Sequence, residues 1–113
     1  MDSAQKIAAV EKYITAVSTA NIDLIKEIFA DNGTVEDPVG SEPKEGIAAI
    51  VAFYESFSSM GVKLALTGPV RCAGNAAAFP FTATIGDNVL EIIDVFEFDG
   101  AGKVVSMKAY WGA

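Results

Sequence analysis

The stretch Phe79-Pro80-Phe81-Thr82-Ala83-Thr84-Ile85-Gly86-Asp87-Asn88-Val89-Leu90-Glu91-Ile92-Ile93-Asp94-Val95-Phe96-Glu97-Phe98 carries the alternation that decides the fold. Apolar side chains recur at every second residue on both sides of an Asp87-Asn88 turn, which is the period of a half-buried strand and not of a helix. Before the turn, Phe79, Phe81, Ala83 and Ile85 share a face. After it, the matching face carries Leu90, Ile92, Asp94, Phe96 and Phe98, while Glu91 and Glu97 point the other way. The two runs therefore fold back on one another as an antiparallel hairpin.

Working outward, Gly74-Asn75 supplies a second two-residue turn and Asp99-Gly100-Ala101-Gly102 a longer one. From Val62 onward the chain is thus expected to form a four-stranded meander. Leu64, Leu66 and Val70 face inward from its first strand, and Val105, Met107, Ala109 and Trp111 from its last. Centring the pairings on these turns places Phe81 and Met107 beside Asp94. Gly100-Ala101-Gly102 lies between strands, has no third glycine and precedes no helix, so it reads as a turn and not as a phosphate loop.

Before Val62 the period is helical. Ile7, Val10, Ile14 and Val17 follow steps of three and four, with Asp2 and Gln5 placed as an N-cap and its partner, and with Tyr13 at the edge of the stripe. A second helix is expected from an Asn21 cap through Ile22, Ile25 and Phe29 to the neighbourhood of Gly33. A third carries Ile47, Ile50, Val51, Tyr54 and Phe57 on one face and stops near Gly61. Between the last two, Thr34-Val35-Glu36-Asp37-Pro38 is extended, Pro38 biasing Asp37 away from helical geometry. The fold class expected is α+β: three N-terminal helices packed on a curved, mainly antiparallel sheet, forming a single domain over residues 1–113.

The chain has 113 residues, 15 Asp and Glu against 8 Lys and Arg, and a formal charge of −7, which disfavours nucleic acid and anionic membranes as partners. There is no histidine, so Ser-His-Asp and Cys-His catalysis and His-containing zinc sites are excluded. Acid–base chemistry must rest on Asp, Glu, Tyr, Lys or Cys. No apolar run approaches the roughly 18 residues of a membrane span, and the N-terminus lacks the pattern of a signal peptide. A lone Cys72 forms no intrachain disulfide, which fits a reducing, cytoplasmic setting.

Asp94 is the anomaly. An unpaired carboxylate among Leu90, Ile92, Phe96 and Phe98 would lose several kcal/mol of solvation, and the register brings no Lys or Arg to its face. Either its pKa rises until it is a neutral acid able to donate a hydrogen bond, or the strand edge lets it reach water. Tyr13 either packs its ring and bonds the backbone or presents its hydroxyl to a ligand. Asp37 either forms a turn before Pro38 or acts as a carboxylate base. Glu36 and Asp37 could begin a metal site, but no third ligand stands at a recognisable spacing. Cys72 has no neighbour that would activate it. Phe53, Phe57, Phe79, Phe96 and Trp111 read as core, some of them free to line a pocket.

Phe29-Ala30-Asp31-Asn32-Gly33-Thr34-Val35-Glu36-Asp37-Pro38-Val39-Gly40, continued by Ser41-Glu42-Pro43, resembles the VEDP-bearing segment of bacterial ketosteroid isomerases, the steroid Δ5-isomerases. Ile92-Ile93-Asp94-Val95-Phe96-Glu97-Phe98 is similar to the family's aspartate-bearing strand, and Gly100 to Met107 with Ala109-Tyr110-Trp111 to its closing hairpin. The resemblance implies the cone-shaped roll of the nuclear transport factor 2-like superfamily, with a deep apolar pocket and pairing as a homodimer through the sheet. It implies that Asp37 is the general base, that Tyr13 and a protonated Asp94 are the oxyanion donors, and that Tyr54 supports Tyr13 by a hydrogen bond. Val39, Phe53, Phe81, Phe96, Met107 and Trp111 are expected around the substrate. Phe29 stands where some members carry a further tyrosine.

The activity implied is isomerisation of a 3-oxo-Δ5-steroid to the conjugated Δ4 ketone, needing no cofactor and no metal. Two other functions remain open: a related cone-fold cyclase or epoxide hydrolase, and a non-catalytic carrier of small apolar ligands. A carrier has no use for a base set opposite two donors.

Overall fold

The computed structural model describes residues 1–112. The chain runs α1 (Ser3–Ser18), α2 (Ile22–Ile28), β1 (Phe29–Glu36), β2 (Lys44–Glu45), α3 (Ile47–Glu55) and a 3-10 turn at Ser58–Met60. It continues through β3 (Lys63–Leu66), β4 (Arg71–Ala73), β5 (Ala76–Ile85), β6 (Asn88–Phe98) and β7 (Val104–Trp111). The strands form one open, curved, mixed sheet in the order β2-β1-β7-β6-β5-β3, with β4 also paired to β5. All neighbours are antiparallel except β1 and β7. The helices cover one face, and the core lies between the layers, with Val10, Ile50, Phe79, Phe96, Val104 and Met107 fully enclosed.

The helix starts follow local chemistry. Asp2 accepts the Gln5 N–H at 2.8 Å while the Gln5 side chain accepts the Asp2 N–H at 2.8 Å, a reciprocal cap worth on the order of 1 kcal/mol. Asn21 caps α2 through the Leu24 N–H at 3.2 Å. The face of α1 that meets the sheet is Lys6, Val10, Tyr13 and Ala16, so Tyr13 is central to the buried stripe and not at its edge. The Lys6 ammonium makes this possible by bonding the Gly74 carbonyl across the layer. Ile7, Ile14 and Val17 flank the contact.

Four further expectations are corrected. α2 ends at Ile28, and Phe29 begins β1, because the extended run continues inward through Ala30 and Val35. The expected first strand of the meander is two, β3 and β4, separated by the Thr67-to-Val70 crossing. The partners of Asp94 are Phe79 and Ala109, not Phe81 and Met107. The β5–β6 turn is Gly86-Asp87, closed by Ile85 opposite Asn88, with Gly86 at φ +59 as its first central residue. On the other side β7 carries a bulge between the Glu97 and Phe98 pairings, so that Val104 and not Val105 enters the core. Around Asp94 both shifts move partners by two residues, so the side chains there keep their faces; Val105, at the bulge, does not.

Candidate active site

The cavity floor is built on rungs of the sheet. The innermost is Phe79, Asp94 and Ala109, of which Asp94 alone reaches the cavity. One step outward, about 7 Å along the strands, come Phe81, Ile92 and Trp111, and one step further Leu64, Ala83 and Leu90. Leu66, expected to face inward, is exposed and does not line the cavity. Tyr13 and Val17 of α1, with Phe53, Tyr54 and Phe57 at α3, form the roof. Together they enclose a cavity of about 360 Å³, apolar along most of its length and polar at the Asp94 end.

At that end the Tyr13 and Tyr54 hydroxyls lie 2.9 Å apart, both rings almost wholly buried. Edge-on packing fixes the Tyr13 ring against Phe96 at 5.1 Å, and against Phe79 and Phe29. Phe29 adds no hydroxyl, so among the described residues the chain of phenols consists of two members. Burial pushes both phenols well above their ordinary range, and the carboxylates nearby reinforce this. Both phenols are therefore favoured in their neutral form, and either hydroxyl of the pair can be the donor.

Asp94 is 1% exposed. Its Oδ1 is, among the described residues, the one buried side-chain oxygen or nitrogen without a hydrogen-bond partner, and Asp94 lines the cavity. Burial pushes its carboxyl well above the usual carboxylate range, and the charge of Asp37 adds to the effect. An ionised, unpartnered group there would cost several kcal/mol, so these surroundings favour the neutral acid at the cavity wall.

Asp37 sits just beyond β1, before a cis Asp37–Pro38 bond. The Trp111 indole N–H donates to its Oδ1 at 2.8 Å, which places the carboxylate beside the second rung, one step outward from Asp94. Burial raises the Asp37 pKa, and the indole bond opposes that rise. Glu36 is turned away and accepts the Gly40 N–H at 2.8 Å. Among the described residues, no group of three or more Cys, Asp or Glu side chains is placed to hold a metal ion.

The structure thus brings Tyr13, Asp37, Tyr54 and Asp94 to one cavity, along with Phe53, Phe81 and Trp111. It does not bring the other three expected lining residues there. Phe96 and Met107 are fully enclosed behind the polar end, where Phe96 supports the Tyr13 ring. Val39 lies 41% exposed after β1, its N–H donating to the Ala109 carbonyl. The sequence reading missed Val17, Met60, Leu64 and Leu90 as lining, and left Phe57 between core and pocket wall, where it does line the cavity. Strand parity could have found Leu64 and Leu90, whereas Met60 sits in an irregular turn with no periodic signal.

The profile of the SnoaL-like domain family matches residues 10–107. A curated relative, the steroid Δ-isomerase of Nocardioides simplex, is 39% identical over 112 residues, covering 96% of this chain and 91% of its own length. The chain belongs to the ketosteroid isomerase family. As a ketosteroid isomerase family member it is an enzyme of the isomerase class, and its layered helices and curved sheet are that family's fold. A solved structure is also similar: SalBIII, described as an epoxide hydrolase/cyclase-like enzyme in pyran ring formation in polyether salinomycin. It has a TM-score of 0.87, is 29% identical, and the match covers 99% of this chain and 95% of that one. No helix among the described residues is long and apolar enough to cross a membrane.

Proposed function

We propose that this isomerase converts 3-oxo-Δ5-steroids into 3-oxo-Δ4-steroids. The observation that carries the proposal is the pairing of two unlike aspartates on one apolar cavity. Asp94 is unpartnered and held neutral beside the Tyr13–Tyr54 pair, while Asp37 is held by an indole N–H one rung away. The ketone oxygen lies between the Tyr13 hydroxyl and the Asp94 acid. The Asp37 carboxylate removes a proton from C4, and the C–H electrons move toward the oxygen as a dienolate forms. The same proton then returns at C6, the double bond shifts from C5–C6 to C4–C5, and Asp37 is again ionised.

Each residue has a stated share. One general base supplies about 10²–10⁴-fold, and one oxyanion donor is worth roughly 3–4 kcal/mol. Burial strengthens Asp37 as a base by raising its pKa, while the Trp111 bond opposes that rise. The apolar walls keep water from competing for the oxyanion bonds. The test is the growth of conjugated-enone absorbance when the protein meets a 3-oxo-Δ5-steroid. Absence of enone formation would overturn the proposal.

The likeness to SalBIII supports a second activity, ring closure or opening of an apolar epoxide with Asp37 as base and Asp94 as acid. Consumption of a hydroxy-epoxide with no enone formation would favour it. We also propose a homodimer formed through the outer sheet face. There Ile93 and its cross-strand neighbour Tyr110 are 49% and 47% exposed, and Pro80 lies opposite Ile93. Sedimentation of the parent chain and of Tyr110→Lys tests this, a shift to monomer being the expected result.

A further inference from the structure

Behind the cavity roof lies a second hollow of about 150 Å³, where the end of α1 meets α2, the start of β3 and the segment after α3. Ala16, Ile22 and Ile25 line it and do not reach the substrate cavity. Its polar rim is already satisfied. The Ser18 hydroxyl accepts the Leu64 N–H at 2.9 Å, the Lys63 ammonium bonds the Ser18 carbonyl at 2.7 Å, and the Ser58 hydroxyl bonds the Glu55 carbonyl at 3.0 Å. What remains inside is chiefly apolar.

Four side chains face both spaces: Val17, Tyr54, Phe57 and Val62. Three of them are held. Tyr54 is buried and hydrogen-bonded to Tyr13, and the two valines are short, β-branched and stiff. Phe57 differs. It lies beyond the last turn of α3, is half-buried, and leads into a 3-10 turn that has no side-chain cap and whose residues are all exposed. Its ring is restrained mainly by edge contacts to Phe53 at 5.2 Å and Tyr54 at 5.5 Å. The hollow is part open to solvent at Thr19, Ala20 and Ser58, and its volume of about 150 Å³ matches that of a cavity able to take benzene. The Phe57 side chain is a benzene ring on a one-carbon stem.

We infer that Phe57 is a specificity-determining gate whose ring swings into the smaller hollow when a ligand brings bulk to the outer part of the cavity. The gate rests on the steroid reading for the ligand class, with the oxygen end at Tyr13 and Asp94 and the far end beside Leu64 and Leu90. A compact ring system leaves Phe57 in place. A ligand with a branched alkyl chain on the ring farthest from its oxygen needs the two spaces joined, and the volume of the hollow sets how much bulk is accepted.

Trp111 is the one tryptophan of the chain and lines the cavity, so its fluorescence reports occupancy without turnover. Two flat phenolic steroids serve as probes, one compact and one carrying a branched octyl chain on the distal ring. Ala16→Leu and, from the opposite wall, Ile22→Phe fill the hollow without touching the substrate cavity. Each should weaken the long-chain probe by roughly tenfold or more, the scale of forcing a ring into filled space, and leave the compact probe within about twofold. Phe57→Ala should shift the ratio of affinities toward the long-chain probe. Circular dichroism establishes that each variant is folded. An unchanged ratio in folded filling variants would overturn the gate alone, with enone formation from a compact substrate still intact. Failure of both probes to bind the parent chain would overturn the steroid reading and the gate with it.

Discussion

Replacing Asp94 by Asn keeps the shape of the side chain and removes its ability to ionise, which makes the pH dependence of stability diagnostic. In the folded chain burial holds the Asp94 pKa well above the ordinary carboxylate value, with Asp37 contributing. In the unfolded chain the group titrates near its reference value of about 3.9. Between those two points the native state keeps a proton that the unfolded state has released. Stability therefore falls as pH rises, by about 1.4 kcal/mol per pH unit from this group alone. Below about pH 4 both states are protonated and the contribution is fully present. Above the folded pKa it is fully lost. The amide of the Asp94→Asn variant has no such dependence, and because Oδ1 of Asp94 has no partner to lose, the substitution breaks no hydrogen bond of that atom. Urea unfolding of parent and Asp94→Asn at half-unit steps upward from pH 4 should give a difference that grows in favour of the variant, with the slope just stated. Parallel curves across that range would refute the claim that the acid is held neutral by its surroundings.

Two further outcomes follow from the same geometry. Tyr13→Phe should lower kcat by roughly 10²–10³-fold, the usual loss for one oxyanion donor, with little change in KM. It should also cost about 1–3 kcal/mol of stability, since the buried Tyr54 hydroxyl loses its partner, a loss measurable by denaturant unfolding. Trp111→Phe removes the bond that lowers the Asp37 pKa, so the acid limb of the kcat/KM profile should move to higher pH. An unmoved limb would mean that the indole does not tune the base.

The fold was legible where one face of a strand is buried, because parity survives an error in pairing. Asp94 could be assigned to the apolar face even though its neighbours were misplaced by two residues on both sides. The misplacement came from turns. Asp87-Asn88 and Gly86-Asp87 are both plausible hairpin centres in sequence, and only the positive φ at Gly86 separates them. The bulge near Phe98 follows from the Asp99 side chain, which accepts the Ala101 and Lys103 N–H groups at 2.9 and 3.0 Å and lengthens the turn. The centrality of Tyr13 was hidden because its stripe contains a lysine and an alanine, whose burial depends on the Gly74 carbonyl and on a close sheet.

The cavity was less legible than its polar end. Tyr13, Asp37 and Asp94 lie far apart in sequence, and no periodicity joins them; the resemblance of the VEDP segment did. Phe96 and Met107 share the inward face of the sheet, yet they are fully enclosed behind the polar end, where Tyr13 of α1 packs on Phe96. Which inward residues line space and which fill it depends on where the helices rest. Trp111, 48% exposed, serves as both wall and anchor for the base, a role that emerges once β7 is placed beside Asp37.

The most direct measurement compares Asp37→Asn with the parent chain in two assays, enone formation from a 3-oxo-Δ5-steroid and equilibrium binding of a flat phenolic steroid. Asn accepts the Trp111 N–H but cannot take a proton from C4. Turnover should fall by at least the roughly 10²–10⁴-fold attributed to a general base, while binding of the phenol is largely retained. Turnover in Asp37→Asn equal to that of the parent would contradict the assignment of the base.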